Sequence, residues 1–302
     1  ARAGESVEPS PAAARSGEDD DALNPMESYA ARRAHRLAVA RKGLRELPQW
    51  DPATLTPTQR VSAAVLRWNL EITLAGDEFV DHRFVFNHYR GLHLDLVNSI
   101  AERSRLQQAS DVERYLQRLG QVALRIDEGI ERARAAAQRG LLPPRYILER
   151  TRQQLDMFLE PAPARNVFVS RLEARAREIK RLKPETLAAA VTQAELLVSK
   201  EVRPAYARVR ELIDVLLPQA APEIGLAELP NGAAAYAFAL RQFTTTAMTA
   251  AEIHELGLRQ VARLEAEMDR LLRELGHTEG SVRSRYARVA IGEVLPAEPD
   301  PR

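Results

Sequence analysis

Four stretches of this chain read as helix openings, each with a capping side chain three residues before a glutamate or glutamine. The four are Asn24-Pro25-Met26-Glu27, Thr56-Pro57-Thr58-Gln59, Ser110-Asp111-Val112-Glu113 and Thr249-Ala250-Ala251-Glu252. In such a box the first side chain accepts an orphan N–H of the opening turn, and the fourth reaches back to the cap. Two of the four also place proline at the first helical position, where its missing N–H costs nothing. Apolar residues after the boxes recur at steps of three and four, the period of a helix face. Val61, Val65, Trp68 and Ile72 share one such face, and Val112, Leu116, Leu119, Val122 and Ile126 share another. Ile253, Leu256, Val261, Leu264, Met268, Leu271 and Leu275 stripe a last long helix that Gly276 should stop.

Further helical stretches are expected near 26–47, 89–108, 144–160, 165–181, 185–217, 232–244 and 281–290. Pro204 should kink or break the 185–217 helix, because it lacks the N–H that the ladder needs. Turns are expected at Gly140 to Pro144 and at Leu229-Pro230-Asn231-Gly232. Arg83 to Phe86 resembles a strand, but it is too short and solitary to build a sheet. The class is therefore all-α, a multi-helix, irregular bundle-like domain over 25–290. Residues 1–24, rich in Ala, Ser, Pro, Gly and acid, carry no apolar stripe and are expected to be disordered. Residues 291–302 read as a proline-rich tail.

Charge excludes one class of partner. The 43 basic and 42 acidic residues leave a net charge of +1, with no basic stripe for nucleic acid. The absence of cysteine removes disulfides and thiolate metal sites. No apolar run approaches the roughly 20 residues that span a bilayer as a helix. A chain starting at Ala1 without methionine fits an exported protein whose leader has been removed, so a periplasmic or secreted location is expected.

Residues 225–272 carry a more specific signal. Gly225, Leu226, Leu229, Pro230, Asn231 and Gly232 form a turn, and a helix bearing Tyr236 then runs to Thr244 and Thr245. Glu252, Ile253, His254, Gly257 and Leu258 follow. This pattern resembles a large bacterial family known as domain of unknown function number eight hundred and eighty-five. Looser similarity in LTPTQRVSAAVLRWNLE, FNHYRGLHLDL, SDVERYLQRL and GLLPPRYILERTRQQL extends it over roughly residues 27–290. The resemblance implies a secreted or periplasmic zinc peptidase of helical, cleft-shaped architecture, whose metal motif approximates H-E-x-x-P-G-H-H. That motif would lie downstream of the present chain, which has no His-His pair and no Pro-Gly dipeptide. What is present resembles the N-terminal helical half.

The residues themselves nominate few sites. His254–Glu255 opens like a zincin motif, yet two imidazoles at i and i+4 are needed to face one ion, and Leu258 occupies the fourth position. Glu252 is already the closing residue of the Thr249 capping box, so a plain helix opening is expected. His82, His88 and His93 cluster in one segment, where a loop could gather them with Asp81 or Asp95. On a helix, however, His88 and His93 would stand about 140° apart. Polar or hydrogen-bonding histidines are the expectation, and no metal ligand is assigned. Carboxylate pairs such as Glu252–Glu255 and Glu265–Asp269 read as solvated ion-pair faces. No serine stands in a G-x-S-x-G elbow and no glycine-rich phosphate loop is present, so no catalytic residue is assigned.

Tyr236, Arg241, Thr244, Thr245 and His254 are the best remaining polar cluster, as substrate-cleft candidates at a helix–loop–helix junction. The same threonines could simply close one helix and cap the next. The expectation is the helical N-terminal portion of a zinc-dependent peptidase-like protein, cut short of its metal motif and not catalytic alone. It has no cofactor of its own, zinc being implied for full-length relatives. A peptide substrate belongs to the full-length form, and self-association or a catalytic-half partner is expected. The alternative is a standalone helical binding or scaffold protein.

Overall fold

The computed structural model describes residues 27–50, 52–222 and 225–294, with side chains described through residue 289. Every regular element among the described residues is helical. The α-helices are α1 (Tyr29–Glu46), α2 (Pro57–Ala75), α3 (Leu92–Val97), α4 (Ala109–Gly120), α5 (Val122–Gln138) and α6 (Arg145–Leu159). They continue as α7 (Val167–Ala176), α8 (Pro184–Leu197), α9 (Arg203–Leu216), α10 (Gly232–Thr244), α11 (Ala250–Glu274) and α12 (Val282–Val294). The chain groups into two compact units, Ala1–Tyr236 and Ala237–Arg302. Of the expected flanking segments, 1–24 lies outside the described residues. So does 295–302, while the first four residues after 290 continue α12.

Two of the four capping boxes form as expected. Thr56 and Gln59 satisfy each other's backbone at the start of α2, with Pro57 opening the helix. Thr249 and Glu252 do the same for α11. The third is displaced: α4 begins at Ala109, and the Asp111 carboxylate accepts the N–H groups of Gln107 and Gln108 at 2.9 and 3.2 Å. A carboxylate accepts these bonds more strongly than the Ser110 hydroxyl could, so Asp111 fixes the boundary earlier. For the fourth, Asn24 lies outside the described residues, and α1 is capped by Ser28, which accepts from Ala31 N–H.

The first unit has its core among α3 to α9. Leu119, Val122, Ile126, Leu148, Leu155, Phe168, Leu172, Val198, Val202 and Val209 are fully buried there. The stripe Val112, Leu116, Leu119, Val122, Ile126 is internal throughout, although Gln121 breaks it into α4 and α5. The Phe158 and Tyr206 rings stack 3.9 Å apart at this core. Where a kink at Pro204 is expected, the chain makes a π turn over Val198–Val202, and Pro204 enters at the second position of α9. A wider turn is one way a helical run accommodates a residue without an N–H.

Two expectations are corrected. The expected 89–108 helix is split into α3 and a following π turn, Asn98–Glu102. The face Val61, Val65, Trp68, Ile72 is not buried along its length: Ile72 is, but Val61 and Val65 are more than half exposed. Helix α2 packs chiefly on α1, and Ile72 is its one buried residue. As expected, Arg83 to Phe86 builds no sheet among the described residues, and Phe84 adopts a left-handed backbone with φ 52°.

The turn before α10 explains its glycine. Asn231 is left-handed, and a Cβ on Gly232 would fall 1.9 Å from the Leu226 carbonyl oxygen, so no side chain fits. In the second unit α11 packs on α12, burying Leu272 and the Arg285 side chain. Gly276, at φ 84°, ends α11: its N–H reaches Arg273 O, and His277 N–H reaches Leu272 O at 2.8 Å. These are the paired bonds of a Schellman stop.

Candidate functional site

The residues at the α10–α11 junction are held by local backbone chemistry. The Thr244 hydroxyl donates to Leu240 O at 2.8 Å and lies 2.9 Å from the Thr246 hydroxyl. Thr245 is left-handed, with its N–H bonded to Arg241 O at 3.0 Å, closing α10. Thr246 accepts the Met248 N–H, and Thr249 begins the next helix. Both threonines of the pair therefore carry a helix-ending role. Tyr236 is 44% exposed and belongs to the first unit, whereas Arg241, Thr244, Thr245 and His254 belong to the second. His254 is exposed near the start of α11, and its side chain makes no hydrogen bond with the described residues. Glu255 is likewise exposed.

The three clustered histidines serve the fold of the first unit separately. His82 Nε2 is 2.8 Å from the Pro230 carbonyl oxygen and its ring meets Phe79 edge-on. His93 is buried, and its Nε2 lies 3.3 Å from Gln154 Oε1. The other end of that amide donates to His88 O at 2.9 Å, and the His88 ring sits edge-on to Tyr146. Burial lowers the His93 pKa to about 4, partly offset by the Gln154 hydrogen bond. Asp95 is shifted upward, also by burial, against the pull of Arg90 and Arg103. Zinc needs three or four converging donors. Among the described residues no three His, Asp or Glu side chains converge in that way, and two of the imidazoles are already engaged. The described residues do not fit a zinc ion.

A feature that the sequence did not reveal is a groove in the first unit. It has a volume of about 760 Å³ between the start of α1, α5 and α9. Ile130, Leu212 and Val215 give it an apolar floor, and charged pairs form its rim. Asp127 takes two hydrogen bonds from Arg208 at 2.9 and 2.8 Å, and Glu131 accepts from Arg134 at 2.8 Å. Glu128 pairs with the buried Arg125 at 3.0 Å and accepts the Tyr29 N–H at 3.1 Å. The Arg132 guanidinium lies 3.3 Å over the Tyr29 ring and also reaches Asp81.

Tyr29, Ala30 and Arg132 are shared with a smaller cavity of about 470 Å³ that Asp81, Arg33 and Arg139 also line. There Arg33 grips Asp77 through two bonds of 2.6 and 2.7 Å, which lowers the Asp77 pKa. Burial, followed by the charge of Arg125, lowers that of Arg32. An apolar floor with a charged rim suits binding of a side chain or short segment. Nothing in either groove pairs a nucleophile with a base. In the sequence, Asp127, Glu128 and Arg132 look like the solvated face of α5, because Arg208, Tyr29 and Asp81, which they meet here, lie 51 to 99 residues away.

The family described as a bacterial protein of unknown function (DUF885) matches residues 11–301. No curated protein matches. A solved structure from Colwellia psychrerythraea, described as a candidate lipoprotein, shares the fold with a TM-score of 0.72 at 23% identity. The similarity covers 84% of this chain and 44% of that one, so the chain corresponds to less than half of the longer protein. No helix among the described residues is long and apolar enough to cross a membrane.

Proposed function

Because the chain belongs to the DUF885 family of bacterial proteins, we propose that it is the N-terminal helical portion of a zinc-dependent peptidase-like protein. It is not catalytic alone. The observation that carries this reading is the recurrence of the fold within a chain of which it makes up only 44%. The residue pattern of 225–272 supports it, since the peptidase-like character is implied there by resemblance. In this role Tyr236, Arg241, Thr244, Thr245 and His254 would contribute to a peptide-substrate cleft in the full-length form, and the metal ligands would come from elsewhere. No reaction step is assigned to the present residues, which do not fit zinc. Export to the periplasm or beyond is part of the same proposal, and it accords with a lipoprotein-like relative.

The test compares peptide hydrolysis by the 302-residue chain with that of the chain extended by whatever its gene encodes beyond Arg302, both supplied with zinc. The expected result is chelator-sensitive hydrolysis in the extended form alone. Metal-dependent hydrolysis by the 302-residue chain, or none by the extended form, would overturn the proposal. The groove on α5 and α9 favours a second reading, a standalone helical binding or scaffold protein, which the latter outcome would promote.

A further inference from the structure

The cavity of about 470 Å³ lies where the first half of α1, the end of α5 and the 3₁₀ run Gly76–Arg83 meet. Ala34, Leu37, Val80 and Ala135 give it an apolar wall. Its charged lining is uneven, with Arg33, Arg132 and Arg139 against the single carboxylate of Asp81. That carboxylate is shared, accepting from Arg132 at 3.3 Å and from Arg139. Arg33 is held from outside the lining by Asp77, whose charge also draws on Arg36 and Arg41. Five guanidiniums, those of Arg33, Arg36, Arg41, Arg132 and Arg139, thus bear on two carboxylates. Glu78, on the same run as both acids, is exposed and does not line the cavity, and Glu128 is taken by Arg125.

The internal pairs leave part of each lining guanidinium unused. Arg33 binds Asp77 through Nε and Nη2, so its Nη1 makes no hydrogen bond among the described residues. Arg139 directs Nε to Ala135 O and Nη2 to Asp81, which leaves its Nη1. Arg132 gives only Nη2 to Asp81 and keeps Nε and Nη1. The Tyr29 ring, 3.3 Å from the Arg132 guanidinium, holds that side chain in place. Tyr29 also lines the cavity, and its buried hydroxyl has no hydrogen-bond partner among the described residues, although a buried phenol ordinarily finds one. The side chains of Arg33, Arg132 and Arg139 are 42, 25 and 59% exposed, so a ligand can reach all three.

This chemistry selects a class of ligand. A guanidinium fork matches a carboxylate, whose two oxygens accept parallel N–H bonds. The volume lies in the range that takes a small molecule. The apolar wall suits a short hydrocarbon body and offers nothing to a bare inorganic anion. A cation would face the arginine excess.

We propose that this cavity binds a small aliphatic carboxylic acid as its anion. The carboxylate sits on Arg132 and Arg139 beside Arg33, and the hydrocarbon body lies on Leu37, Val80 and Ala135. Asp81 is then an internal rival for the same two arginines. The site belongs to the first unit and requires neither zinc nor a catalytic half.

Its test titrates the full chain with hexanoate, hexylammonium and inorganic phosphate, followed by saturation-transfer NMR. Hexanoate should bind, and the other two should bind at least about ten-fold more weakly. Arg139→Gln, at the most exposed of the three arginines, should weaken hexanoate several-fold with the circular dichroism spectrum unchanged. Asp81→Asn should tighten it, by roughly three- to ten-fold, because the rival charge is gone. A merely structural role for Asp81 would not produce that gain. No binding of hexanoate, equal binding of hexylammonium, phosphate bound as tightly, or hexanoate binding indifferent to Arg139→Gln would each overturn the proposal. So would Asp81→Asn binding no tighter than the parent with its fold intact.

Discussion

The hydroxyl of Tyr206 donates a 2.7 Å hydrogen bond to the backbone carbonyl of His93, tying α9 to the short helix α3 across 113 residues of sequence. Both residues are buried, and Tyr206 also stacks on Phe158. Burial pushes the Tyr206 pKa upward, which keeps its proton available to donate. Replacing Tyr206 with phenylalanine keeps the stack and removes one buried bond. The expected cost is about 1 to 2 kcal/mol in urea denaturation, and an unchanged midpoint would show that the link is idle.

The same His93 sets a pH dependence. Its pKa is lowered in the folded state to about 4, chiefly by burial, so the unfolded chain binds the proton first as pH falls. Stability is therefore fully present above the unfolded value of roughly 6.5 and is lost as pH falls toward about 4. The loss from this group is on the order of 3 kcal/mol at most. Denaturation midpoints at pH 7, 6 and 5 should fall progressively, and His93→Gln should flatten that slope. An equal slope in the variant would remove His93 as the cause.

A second, lower window belongs to the second unit. Hydrogen bonds from Arg273 and then Arg285 hold the Asp269 carboxyl at about 2, well below the usual carboxylate range. Its contribution is present above the unfolded carboxylate value and fades as pH falls toward 2. Arg285 is buried and ion-paired to Asp269, so Asp269→Asn leaves a buried guanidinium without its carboxylate. Loss of hydrogen-exchange protection confined to α11 and α12 is the expected signature.

The capping box of α11 is testable by itself. Thr249→Ala removes the acceptor for Glu252 N–H and one of the two donors to the Glu252 carboxylate. The expected cost is about 1 kcal/mol, seen as faster amide exchange in residues 250 to 254. Protection equal to the parent chain would mean that Glu252 alone holds the turn.

Local grammar made the fold class legible. Thr56 and Thr249 cap where their boxes say, Gly276 stops α11, and the Val112 to Ile126 stripe is core. What failed locally was competition between neighbours: the Asp111 carboxylate outbid the Ser110 hydroxyl, and α3 gave way to a π turn. The groove was illegible for a different reason. Tyr29 over Arg132, and Arg208 on Asp127, are pairings across the fold, and no short window of sequence contains both partners. At the candidate junction the bonds of Thr244 and Thr245 serve to end α10.

The α11 stripe has a simple mutational signature. Because Leu264 and Leu271 are exposed, Leu264→Lys and Leu271→Lys should leave the thermal midpoint within about 1 kcal/mol of stability of the parent, as surface changes do. Losses several times larger would show that both side chains are internal to the fold in solution.

The central claim, that these 302 residues form a helical portion without its own metal centre, is tested most directly by zinc stoichiometry. The purified chain is loaded with zinc, dialysed and measured by elemental analysis, alongside a His88→Ala, His93→Ala double variant. The expected result is clearly less than one zinc per chain, equal in both. One tightly held zinc per chain, lost in the double variant while the helical circular dichroism signal is retained, would contradict the claim and make the histidine segment a metal site.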